Sequence, residues 1–88
     1  MNTKKILMYS TTWCPDCHRA EAFFKHYGVG FEKVDIEQSE GAAEIVMNLA
    51  NGKRSVPTLV ITDEAGGEQV LVNPRLPELA GALGITLN

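Results

Sequence analysis

The 88-residue chain contains two cysteines, Cys14 and Cys17, within Trp13-Cys14-Pro15-Asp16-Cys17. A pair at this spacing can close a small disulfide ring across the first turn of a helix. Pro15 suits the first helical position, where its missing N–H would have had no partner. Cys14 then stands at the helix N-terminus, where unpaired backbone N–H groups favour an anion. A free cysteine ionises near ~8.5, and such settings bring this down to roughly 3.5–7.5. The expected chemistry is thiol–disulfide exchange. Cys14 attacks a disulfide sulfur as the thiolate, and Cys17, one turn further in, attacks the mixed disulfide that results. Asp16 opposes the first role by about 1 kcal/mol in a solvated setting. The helix dipole and hydrogen bonds are expected to outweigh it.

Two other chemistries fit the same residues less well. Cys14-Pro15-Asp16-Cys17-His18 matches the attachment pattern of c-type haem. That chemistry needs export and an axial partner such as Met, and neither Met8 in an apolar strand nor Met47 in a helix is marked for that role. Zinc on Cys14, Cys17, His18 and His26 fails on distance. His26 falls about three turns along the same helix at ~1.5 Å per residue.

The elements that must hold these residues alternate along the chain. Ile6-Leu7-Met8-Tyr9 reads as a buried strand ending at Ser10-Thr11-Thr12. Ala20, Phe23, Phe24 and Tyr27 recur at helical spacing, and Gly28 suits the left-handed stop. Phe31 to Ile36 predicts a second strand with Val34 and Ile36 on one face. Ser39 is the expected cap of a helix bearing Ala42, Ile45, Val46 and Leu49 and ending at Gly52. Thr58 to Thr62 and Glu68 to Val72 form a hairpin about Asp63–Gly67, and a last helix begins near Pro74 or Pro77 and runs to Gly84. The order β-α-β-α-β-β-α predicts an α/β fold: a four-stranded mixed sheet with helices on both faces.

A second feature precedes the strongest strand. Ser55-Val56-Pro57-Thr58 carries an X-Pro bond that the residues alone leave open to either isomer. A cis bond beside Cys14 would leave the Val56 backbone to pair with an extended substrate. Lys53 and Arg54 stand just before it, either to hold the carboxylate of a small thiol or as a solvated pair at a helix C-terminus. Trp13 reads as a recognition surface, a lid on the disulfide or a structural residue. Thr12 is a weak candidate for a hydrogen bond near the thiolate.

Composition excludes several classes. The net charge of −3 and pI near 5.2 do not fit a nucleic-acid partner, which would call for clustered Lys and Arg. There is no polybasic handle for a membrane and no apolar run of the ~18 residues a span requires. Residues 1–88 are expected to form one domain, and a monomer. The start from Met1 to Ser10 lacks a leader's apolar stretch of ~7–15 residues and its cleavage site, which predicts a cytoplasmic protein. In that compartment a close cysteine pair is more often catalytic or metal-binding than structural.

Taken together, these segments resemble the glutaredoxin branch of the thioredoxin superfamily along essentially the whole chain. Tyr9 to Cys17 matches the active-site turn, Val34-Asp35-Ile36 the second strand and Val56-Pro57-Thr58 the cis-proline loop. The likeness is strongest to mycoredoxins and related bacterial glutaredoxin-like proteins, which share Val34 to Glu37, Asn51 to Thr58 and Asn73-Pro74. The resemblance implies that Pro57 is cis, and that Cys14, Cys17 and Pro15 form the catalytic turn. It also implies reduction of mixed disulfides between proteins and a low-molecular-weight thiol, which serves as co-substrate. No organic cofactor is expected, since a Cys14–Cys17 disulfide itself carries two electrons. Two departures bear on the thiol. Asp16 replaces the usual aromatic between the cysteines, and Leu71-Val72-Asn73-Pro74 stands in place of the Gly-Gly-x-Asp turn that holds glutathione. Mycothiol and bacillithiol therefore stand beside glutathione as expectations. Two further readings share the motif: a thioredoxin-like protein-disulfide reductase fed by a flavin-dependent disulfide reductase, and an iron–sulfur cluster carrier.

Overall fold

The computed structural model describes residues 4–87. Met1, Asn2 and Thr3, part of the stretch read for a leader, lie outside the described residues. The elements are β1 (Lys5–Ser10), α1 (Pro15–His26), β2 (Glu32–Asp35), α2 (Ala42–Leu49), β3 (Thr58–Thr62), β4 (Glu68–Val72) and α3 (Leu76–Leu83). The strands lie in the order β2-β1-β3-β4. β1 pairs with β2 in parallel and with β3 antiparallel, and β3–β4 is the antiparallel hairpin.

The two-residue alternation of the central strands decides where the helices go. Ile6 and Met8 of β1, Leu59 and Ile61 of β3 and Leu71 of β4 point to one face. There they meet Ala20, Phe23 and Phe24 of α1 and Leu79, Ala80 and Leu83 of α3. Tyr9 of β1 points to the other face and packs with Ile36, Ala42 and Val46, flanked by Leu7, Val34 and Val60. Two helices thus cover one face and α2 covers the other. The stop of α1 is built as expected. Gly28 takes φ +66°, and the Gly28 and Val29 amides return to the Lys25 and Phe24 carbonyls.

Four local readings are corrected. The α2 cap is Gly41 in the left-handed region (φ 81°), not Ser39. The Ser39 amide is already bonded to the Asp35 carbonyl, and its own carbonyl accepts from Ala42, so Ser39 belongs to the turn that leaves β2. Leu49 ends α2, ahead of Gly52, because Asn51 has already turned to φ 55°. Ile45 and Tyr27 are exposed, since the sheet reaches only the Ala42–Val46 side of α2 and Tyr27 falls past the last turn of α1. Of the two prolines near α3, Pro77 lies in its first turn and Pro74 precedes it.

Leu79 is fully buried where α3 meets α1 and the sheet. Leu79→Ala should cost about 2–5 kcal/mol in a urea melt, whereas Ile45→Ala on the open side of α2 should shift the midpoint little.

Candidate active site

β1 runs out at Ser10, and the chain turns through Thr11–Cys14 before α1 begins at Pro15. Packing of Ala20, Phe23 and Phe24 fixes the start of α1 at the end of the central strand. Cys14 is the N-cap. Its backbone is extended (φ −85°, ψ 112°), and its sulfur accepts the Cys17 N–H at 3.1 Å. A sulfur here does what a serine or aspartate oxygen does at other helix starts: it satisfies an N–H with no partner inside the helix.

The two thiols are reduced, and their surroundings differ. Cys14 retains 5% of its surface and Cys17 none. Burial pushes the Cys17 thiol from 9.0 up to about 12. The hydrogen bond and charge of Cys14 and the charge of Glu21 act in the same direction, while the Thr11 backbone acts against them. Glu21 lies one turn beyond Cys17 and is paired with Lys33 of β2 at 3.1 Å. Asp16, the carboxylate nearest the reactive turn in sequence, is paired with Arg19 at 3.1 Å in an exposed contact, which offsets its charge.

The Val56–Pro57 bond is cis, and Pro57 is fully buried. The Cys14 thiol donates to the Val56 carbonyl at 3.8 Å. The loop is tied on both sides: the Thr58 hydroxyl donates to the Ser55 carbonyl at 2.8 Å, and the Asn73 amide donates to the Pro57 carbonyl at 2.7 Å. The Asn73 backbone thus braces the cis-proline loop.

A groove of about 250 Å³ opens beside the cysteines, lined by Thr11, Trp13, Ile36, Glu37, Arg54 and Val56. Of the residues singled out in the sequence, Cys14, Pro15, Cys17, Val56 and Pro57 come together at the turn, and Trp13 and Arg54 form groove walls. Lys53 and Thr12 are exposed and do not line the groove. Two residues that sequence reasoning passed over take part. Thr11, 4% exposed, replaces Thr12 in the groove, and Glu37 accepts the Trp13 indole N–H at 3.0 Å. The strand alternation carried a signal for Thr11, since Tyr9 and Thr11 share a parity. Glu37 carried none, being 24 residues from Trp13. His18 is exposed, and among the described residues no three His, Cys, Asp or Glu side chains converge as a metal would need.

Comparison with known proteins matches this architecture. The glutaredoxin family profile covers residues 6–65. A glutaredoxin of Mycobacterium tuberculosis is 32% identical over 83 residues, 94% of each chain. Mycoredoxin 1 of Corynebacterium glutamicum is 33% identical over 58 residues, 66% of this chain and 71% of that one. Among solved structures, the glutaredoxin of Archaeoglobus fulgidus superposes with a TM-score of 0.70 at 30% identity, covering 90% of this chain and 85% of its own. With a helix-capping cysteine, a shielded second thiol and a cis-proline loop all in place, the chain belongs to the glutaredoxin family of thiol–disulfide oxidoreductases.

Proposed function

We propose that the chain reduces mixed disulfides between proteins and a low-molecular-weight thiol, using Cys14 and Cys17 as a dithiol. The observation that carries this reading is the position of the Cys14 sulfur. It caps α1 through the Cys17 N–H and donates to the carbonyl of Val56, a residue that lines the groove.

In the first step the Cys14 thiolate attacks the disulfide sulfur that belongs to the small thiol. A Cys14–thiol disulfide forms, and the protein substrate leaves as a thiolate that takes up a proton. The S–H bond to the Val56 carbonyl is lost when Cys14 ionises, which leaves that carbonyl for a substrate N–H. In the second step one of two thiolates attacks the new disulfide. Cys17 can attack the Cys14 sulfur, expelling the small thiol and closing the Cys14–Cys17 disulfide. Alternatively, a second small thiol attacks the sulfur of the bound one, restoring Cys14 and leaving a small-molecule disulfide. The electrostatics favour this order. Two of the effects that hold the Cys17 proton come from Cys14 itself, and both fall away once Cys14 is in a disulfide.

The small thiol is mycothiol, bacillithiol or glutathione, with the replaced glycine turn supporting the first two. The protein side of the substrate is any S-thiolated or disulfide-bearing protein. The setting is the cytoplasm, where the thiol pool is kept reduced by a flavin-dependent disulfide reductase. Arg54 lines the groove and Lys53 does not, which supports Arg54 as the residue that meets an acceptor group of the bound thiol.

Reductase assays on an S-thiolated peptide test the roles. Cys14→Ser should abolish turnover. Cys17→Ser should accumulate the Cys14 adduct, visible as added mass, and the adduct formed in cell extract identifies the thiol. Turnover by Cys14→Ser would overturn the assignment.

The buried thiol also makes a stability prediction. Folded, Cys17 keeps its proton to about pH 12, whereas unfolded it releases it near 9.0, so the folded chain binds more protons between those values. Stability from this source is full below pH 9.0 and declines as pH rises. The stability advantage of the reduced protein over Cys17→Ser should shrink by about 1 kcal/mol between about pH 8 and pH 10, measured by urea melts.

A further inference from the structure

The tryptophan beside the reactive cysteine is exposed yet fixed. Trp13 leaves 66% of its surface to solvent, and its indole N–H donates to Glu37 Oε1 at 3.0 Å. Glu37 is itself anchored. Its backbone amide donates to Asp35 Oδ1 at 2.9 Å, and the neighbouring Ile36 amide donates to the Ser10 carbonyl at 3.0 Å. The end of β2 therefore presents a carboxylate to the indole from a backbone already tied to β1. A hydrogen bond to an ionised acceptor is stronger than a neutral one. Trp13 and Glu37 are both walls of the groove beside Cys14, and Arg54 lines it too. Thr11, also a groove residue, has a buried hydroxyl without a partner.

We infer that Glu37 is a positioning and specificity-determining residue: it fixes the Trp13 indole as a wall of the groove, and its carboxylate sets that wall against anionic head-groups on the small thiol. The inference rests on the mixed-disulfide reading of the site. Glu37 Oε1 accepts from the indole, and Glu37 itself lines the groove, so its charge lies beside any group bound there. A head-group with its own carboxylate meets that charge as well as Arg54. An uncharged or cationic head-group meets no such opposition. Because the contact is exposed, the charge effect is modest and fades with salt.

Two variants separate the two roles. Glu37→Gln keeps an oxygen for the indole and removes the charge, and Glu37→Ala removes both. Trp13 is the single tryptophan, so fluorescence anisotropy of the reduced protein reads its mobility without any substrate. Anisotropy should stay near the wild-type value in Glu37→Gln and fall in Glu37→Ala. An unchanged anisotropy in Glu37→Ala overturns the positioning role. For specificity, one peptide is coupled through its cysteine to 3-mercaptopropionate or to cysteamine. The ratio of kcat/KM for the anionic adduct over the cationic adduct should rise about threefold in Glu37→Gln at low salt, the increase residing in KM. An unchanged ratio overturns the specificity role. Failure of the wild type to reduce either adduct would instead overturn the mixed-disulfide reading, while the anisotropy result would still decide the placement of Trp13.

Discussion

The hydrogen bond from the Cys17 amide to the Cys14 sulfur is the contact on which the rest of the site turns. A helix of twelve residues must satisfy its first N–H groups. Here one of them is satisfied by the atom that does the chemistry, so the cap that starts α1 and the nucleophile are the same group. Any charge that forms on that sulfur is met by an N–H already aimed at it, with no rearrangement. The remainder of the fold holds that helix start in place. Phe23 and Phe24 press α1 onto the sheet, β1 ends four residues before Cys14, and the buried Pro57 brings the Val56 carbonyl to within 3.8 Å of the sulfur from the other side.

A spacing of three residues makes two chemically similar thiols unequal. Cys14 is at the rim, adjoining the groove and the exposed indole. Cys17 lies on the inner side of the same turn, out of water, with Glu21 one turn further along and Cys14 above it. The same geometry that sets one sulfur at the helix start therefore keeps the proton on the other. It also makes the second thiol's reluctance conditional, because part of it comes from the first. An exchange reaction that must proceed in a fixed order has that order written into the separation of the two sulfurs.

Much of this was legible in the sequence because it is local. The Cys-Pro-x-Cys turn, the 3.6-residue recurrence of Ala20, Phe23 and Phe24, and the apolar alternation of β1 and β3 each follow from spacing along the chain. So did the mixed four-stranded sheet, once the strands and helices were placed in order. What escaped depends on contacts between distant segments or on a choice between equivalent neighbours. Ser39 has a good capping side chain, but the turn from β2 consumes its backbone, and Gly41 starts α2 instead. Thr11 and Thr12 are indistinguishable by type, and the direction of the turn after Ser10 decides that Thr11 faces the groove. Likewise Lys53 and Arg54 are one step apart, and the groove takes Arg54. Glu37 reads as an ordinary surface carboxylate until the end of β2 is laid beside the turn that carries Trp13.

Helix capping and burial divide the two sulfurs into an available one and a withheld one. Competitive labelling of the reduced native protein with a sub-stoichiometric amount of iodoacetamide at neutral pH, followed by peptide mapping, reads that division directly. The label should fall almost entirely on Cys14, with Cys17 reached at a comparable rate only after denaturation. Equal labelling of the two in the folded protein, or labelling of Cys17 first, would contradict it.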